Sequence, residues 1–162
     1  MPDRPAAAAT RLRRQAGFTL AEMVVVCAVM VILAGVVLPT ARVTERRLKE
    51  AELKAALREL RYAIDDYKRY SDAGLIPVDM GTDGYPRELE TLVEGVDIVG
   101  QIDRKAKFLR RVPRDPMTGK AEWGLRSYQD EPQSGSWGGE NVYDVYSLSE
   151  GVSLEGVPYR EW

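Results

Sequence analysis

From Phe18 to Leu38 the chain is apolar almost without interruption, with Glu22 as the one charge and sixteen uncharged residues running from Met23 to Leu38. At 1.5 Å per residue, these 21 residues make a helix of roughly 31 Å, the thickness of a bilayer's hydrocarbon layer. After Pro39 the pattern turns amphipathic. Leu53, Leu57, Leu60, Ile64 and Tyr67 follow one another at spacings of 4, 3, 4 and 3, which aligns them on one face of a helix. The other positions are crowded with charge, from Arg42, Glu45 and Arg46 to Asp65 and Asp66. That face is either simply solvated, with weak i,i+4 pairs, or presents charges to other subunits.

Helix is therefore predicted from Phe18 to about Tyr70, and Ser71 to Gly84 is a loop. Tyr85 to Val93 reads as a short helix with Pro86 in its first turn. Three segments are rich in aromatic and β-branched residues and read as strands: 108–112, 122–128 and 142–148. Between the last two lies a turn-rich loop, 129–140, whose Trp137 either folds back or faces a partner. The expected fold class is α+β, a long N-terminal helix with a transmembrane half and an amphipathic half, packed on a small antiparallel β-sheet. Four segments follow: a basic leader (1–17), the transmembrane half (18–39), the amphipathic half (40–70) and an exported α+β domain (71–162).

Charge sets the orientation. Residues 1–17 carry Arg4, Arg11, Arg13 and Arg14 against Asp3, a net +3, so −5 falls on the remainder of a chain whose total is −2. Basic residues before an apolar span stay in the cytoplasm, and the C-terminal domain is then outside. No basic patch points to nucleic acid. The run is too long for the apolar core of an ordinary cleaved signal, and Val37 to Ala41 is a poor cleavage site for one. Cys27, the single cysteine, lies within the run and has no partner for an intramolecular disulfide.

A carboxylate just inside an apolar span costs about 2.5–3.5 kcal/mol by insertion scales, so Glu22 demands a reason. The segment Gly17-Phe18-Thr19-Leu20-x-Glu22 after a basic leader, with Pro39 further on, resembles the N-terminal signal of type IV pilins and type II secretion pseudopilins. That resemblance implies cleavage after Gly17 by a prepilin peptidase, N-methylation of Phe18, and a role for Glu22 in stacking subunits into a filament. It also implies a pilin-like fold. Phe18 and Glu22 are i,i+4, so the carboxylate could meet the new α-amine within one chain or on a neighbour. Gly35 and Pro39 weaken the long helix, either as a fixed kink or as a segment that melts on leaving the bilayer.

The C-terminal part extends the likeness to the major, G-type pseudopilins. Gly84-Tyr85-Pro86 with Leu89 and Leu92, Leu109-x-x-Val112-Pro113-x-Asp115-Pro116, and Asp144-Val145-x-Ser147 resemble their segments. Asp115-Pro116 with Gly119 is also a sound turn on physical grounds. One departure stands out. These pseudopilins hold calcium in an aspartate-rich C-terminal loop, whereas residues 149–162 contain no Asp and offer only Glu150 and Glu155 as weak calcium candidates. The alternative there is a loop held by packing of Tyr159 and Trp162. No cofactor is otherwise expected.

Histidine is absent, as are C-x-x-C, G-x-S-x-G and a P-loop. Asp65-Asp66 and Asp144 with Glu140 are the nearest to carboxylate pairs, but adjacent helical residues diverge. The chain looks like a substrate of an enzyme rather than an enzyme. What the resemblance implies is a subunit of a periplasmic pseudopilus that drives protein export, anchored by a single pass in a bacterial inner membrane. Its partners are then copies of itself in a homopolymer, minor pseudopilins, the peptidase and an inner-membrane assembly platform. The alternatives are a surface type IV pilin (adhesion, motility or DNA uptake) and a membrane-anchored binding domain that never assembles.

Overall fold

The computed structural model describes residues 17–132 and 134–162, those at 36–41 by backbone alone. The leader, apart from Gly17, lies outside the described residues. The long helix α1 spans Leu20–Asp72. The chain divides into a unit ending at Arg42 and a unit from Val43 to Trp162.

In the first unit α1 begins with a capped turn. Thr19 precedes it, and its Oγ1 accepts the Glu22 amide N–H at 3.2 Å. Residues from Gly17 to Gly35 are exposed throughout. Gly35 and Pro39 both fall inside the helix. Among the described residues no helix is long and apolar enough to cross a membrane. The expected span reaches residue 39, and its last four side chains are outside that description.

In the second unit the helix buries the predicted stripe. Leu53, Leu57, Leu60, Ile64 and Tyr67 are all buried, joined by Ala56 and Ala63 at the intervening i+3 positions. The helix ends two residues later than predicted, in a Schellman motif. Gly74 takes φ +66, Leu75 N–H donates to Tyr70 O at 3.0 Å, and Gly74 N–H donates to Ser71 O at 2.9 Å.

Against this stripe pack α2 (Leu89–Glu94) and two small antiparallel sheets. β1 (Val96–Asp97) pairs with β2 (Lys105–Ala106). β3 (Gly124–Arg126) pairs with β4 (Asp144–Tyr146), with Leu125 opposite Val145. The core adds Ile76, Leu89, Leu92, Leu109, Trp123, Val142, Val145 and Tyr159 to the helix stripe. Gly124 is required in its strand, because a Cβ there would stand 2.2 Å from the Tyr146 ring.

Two sequence expectations are corrected. The segment 108–112 is not a strand. Phe108 and Leu109 both turn inward, and their two amides donate to the one carbonyl of Leu92 at 3.0 and 2.9 Å. Consecutive inward anchors break the alternation a strand needs, and Phe108 instead meets Tyr67 and Tyr70 edge-on, each at 5.3 Å. The short helix starts at Leu89 rather than Tyr85. Glu88 is extended at φ −144, and the Pro86 carbonyl accepts Val142 N–H at 2.7 Å. That carbonyl is committed to the chain leading into β4 and cannot open a helix.

Candidate functional site

At the N-terminal end, Gly17 and Phe18 are exposed, with Phe18 at 72%. Thr19 is the N-cap and Glu22 the third residue of the helix, its acid in the first turn. Thr19-x-x-Glu22 has the spacing of a capping box, a signal in the sequence that the likeness of the surrounding motif overshadowed. A carboxylate at this position also faces the positive end of the helix dipole. Phe18 itself lies just outside the helix, which begins at Leu20, and Glu22 sits in the helix's first turn.

The C-terminal segment is clasped to α1 by arginines that look, along the chain, like any other charge on a helix face. The Arg46 guanidinium donates to Val152 O and, at 3.2 Å, to the Tyr159 hydroxyl. Glu50 Oε1 accepts Leu154 N–H at 2.8 Å and the Tyr159 O–H at 2.9 Å. Further along the helix, Arg61 binds Asp144 Oδ1 at 2.7 Å, Trp162 O at 2.8 Å and Val145 O at 3.2 Å. Arg126 adds Asp144 Oδ2 at 3.5 Å and Arg160 O at 3.0 Å. Tyr159 is buried and meets Trp162 edge-on at 5.2 Å, and Lys54 stands 4.4 Å over the Trp162 ring. Asp144 is thus half of a structural ion-pair network, and Asp66 pairs with Arg69.

The structure does not bring the two calcium candidates together. Glu155 lines a hollow with Lys54, Arg58 and Arg61, and Glu150 lines a separate one with Arg160. The Val152 carbonyl already serves Arg46. A calcium cage needs six to eight oxygens from one side chain cluster and its backbone. Among the described residues, no group of three or more His, Cys, Asp or Glu is placed to hold a metal ion.

Asp115 is the residue that the turn motif concealed. It is fully buried. Its Oδ1 accepts Met117 N–H at 2.7 Å and its Oδ2 accepts the Ser147 O–H at 2.6 Å, tying the 115–119 turn to the end of β4. The turn closes through Gly119 N–H to Asp115 O at 2.7 Å.

The 127–141 loop is organised by Asp130, whose Oδ2 accepts Ser127 N–H at 2.7 Å and Gly138 N–H at 3.1 Å. Those amide bonds hold its carboxyl below the ordinary value. Trp137 folds back over the loop, Nε1 donating to Asn141 O at 2.8 Å, and stays partly exposed. A carboxyl lowered in the folded state stabilises above its unfolded value, about 3.9 for Asp, and that stability is lost as pH falls through the lower folded value. Amide exchange at Ser127 and Gly138 is therefore expected to quicken, relative to the rest of the domain, on acidification below the ordinary Asp range. Asp130→Asn should remove this pH dependence, and a variant that retains it would show that another group governs the loop.

A family model described as the prokaryotic N-terminal methylation motif matches residues 12–38. The type II secretion system core protein G of Vibrio cholerae serotype O1 is 28% identical over 158 residues, covering 94% of each chain. No solved structure matches the chain significantly. These findings bear out the resemblance read from the sequence: the chain carries the N-terminal methylation motif at 12–38, and its similarity to a type II secretion core protein G runs over 94% of its length.

Proposed function

We infer that the chain is a non-enzymatic structural subunit of a periplasmic pseudopilus in a type II secretion-like system. The observation that carries this reading is the similarity to a core protein G over 94% of the chain. Residues 18–39 anchor the subunit in the inner membrane before assembly, with the leader cytoplasmic and residues 71–162 periplasmic. A prepilin peptidase cuts after Gly17 and Phe18 is N-methylated. Minor pseudopilins and an assembly platform are the further partners.

The chemistry at the N-terminus supports this. Cleavage leaves an α-ammonium on Phe18, next to the N-cap Thr19 and at the positive end of the helix dipole. In hydrocarbon that charge needs an anion, and the Glu22 carboxylate is the one charge in residues 18–38. Pairing between the Glu22 of one subunit and the Phe18 of the next neutralises both and gives the filament its repeat.

Mass spectrometry of the membrane-extracted protein tests the reading directly. The expected N-terminal peptide begins at Phe18 and carries one methyl group. Retention of residues 1–17 in the mature protein would overturn the pseudopilin reading and favour an anchored domain that never assembles.

A further inference from the structure

The hairpin that joins β1 to β2 exposes an apolar tip. Ile102 is 94% and Val99 60% exposed, yet the turn is closed by Ile98 N–H to Arg104 O at 3.0 Å and Gln101 N–H to Ile98 O at 3.1 Å. Asp103 holds a left-handed φ of 58, so the tip is a shaped projection. Asp103, Arg104 and Lys105 flank it, all exposed.

A hollow of about 460 Å³ lies on another part of the same unit, lined by Leu148, Glu150, Val152, Pro158 and Arg160 among others. Leu148 and Val152 are 49% and 42% exposed there. Its rim carries Glu150 and Arg160. Apolar tip matches apolar floor, Arg104 and Lys105 match Glu150, and Asp103 matches Arg160. An apolar centre with complementary charges at the rim is the composition of a specific interface.

The two features sit at opposite ends of the helix stretch in this unit. The hairpin is tied to the C-terminal end of α1, since Val99 N–H donates to Leu75 O at 2.8 Å. The hollow lies against residues 46 to 61, since Arg46 binds Val152 O and Arg61 binds Val145 O, next to Tyr146 on its wall. From residue 61 to residue 72 an α-helix advances about 17 Å, and from residue 46 about 39 Å. A hairpin cannot reach the hollow of its own chain.

We propose that a second copy of this chain seats its 98–104 hairpin in the 148–158 hollow, joining copies head to tail. The contact is heterologous, so a translation along the helix axis leaves each copy with one free hairpin and one free hollow and the array does not close. This deepens the filament reading and rests on it.

The test uses full chains with Cys27→Ser, one carrying Ile102→Cys and the other Val152→Cys, co-expressed and oxidised in the membrane. Mixed disulfide dimers are expected when both are present, and neither variant should dimerise alone. Glu150→Lys in the Val152→Cys chain should lower the yield at least fivefold, and Arg104→Glu with Lys105→Glu in the Ile102→Cys chain should restore it. Absence of the mixed dimer overturns the contact, as does dimerisation of the Ile102→Cys chain by itself. Normal filaments without the mixed dimer remove this contact and leave the filament reading intact. A mixed dimer in a chain that forms no filament would instead support the contact and strike the filament reading.

Discussion

Glu22→Val should abolish filaments while leaving the folded domain unchanged. The side chain is exposed in the first turn of α1, and the core of the Val43–Trp162 unit is built without it. Its proposed work is to meet the Phe18 ammonium of an adjoining copy. A carboxylate and an ammonium at 4 Å interact by about 4 kcal/mol at an effective dielectric of 20. Losing even 2.8 kcal/mol of that per contact is about a hundredfold in an association constant. The valine variant should also enter the bilayer more readily, because an uncompensated acid no longer has to be buried. Filament counts by electron microscopy, set against membrane-bound subunit on a blot, separate the two effects: filaments fall by two orders of magnitude and subunit does not. Filaments at wild-type levels would remove Glu22 from assembly.

Asp115→Ala should destabilise the Val43–Trp162 unit by about 3 kcal/mol. Two hydrogen bonds to a buried carboxylate disappear, each worth roughly 1.5–3 kcal/mol. Relief from burying a charge offsets part of that sum. The Met117 amide and the Ser147 hydroxyl are left without their acceptor inside the fold. At 2–4 °C per kcal/mol, the melting temperature should drop by roughly 6–12 °C. Asp115→Asn is the informative companion. Its amide oxygen can still accept from Met117 N–H, and its NH2 can donate to a rotated Ser147 hydroxyl, so its cost should be a fraction of the alanine's. Circular dichroism melts of the detergent-extracted full chain read both. A shift below about 2 °C for alanine, within the range of an ordinary surface change, would mean that the turn does not depend on this carboxylate.

The long helix was legible because its signal is periodic and repeated: five apolar positions at 4, 3, 4 and 3 are hard to produce by chance, and all five are buried. β3 and β4 fell within the expected strands, because Trp123 and Tyr128 in one run, and Val142, Tyr143, Val145 and Tyr146 in the other, are aromatic or β-branched. The segment 108–112 misled for the converse reason, since Phe, Leu and Val favour strands locally while the Leu92 carbonyl and the faces of Tyr67 and Tyr70 decided their conformation. β1 and β2, two residues each, are too short to show a period at all. At the N-terminus, the contiguous motif made Gly17, Phe18 and Glu22 readable. The arginine clasp was not, because Arg46 and Arg61 look like any charge on a solvated helix face until partners more than a hundred residues away are in place.

Those separations set an order of events. Arg46 reaches Tyr159 across 113 positions and Arg61 reaches Trp162 across 101. The helix is synthesised early, but its inner face waits for the final dozen residues of the chain. Closure is necessarily a late and non-local step, slow by the ordinary relation between contact distance and folding speed. Until then the subunit is a helix with a bare flank, vulnerable to proteases and to its neighbours, and only the arrival of its own tail makes it a building block.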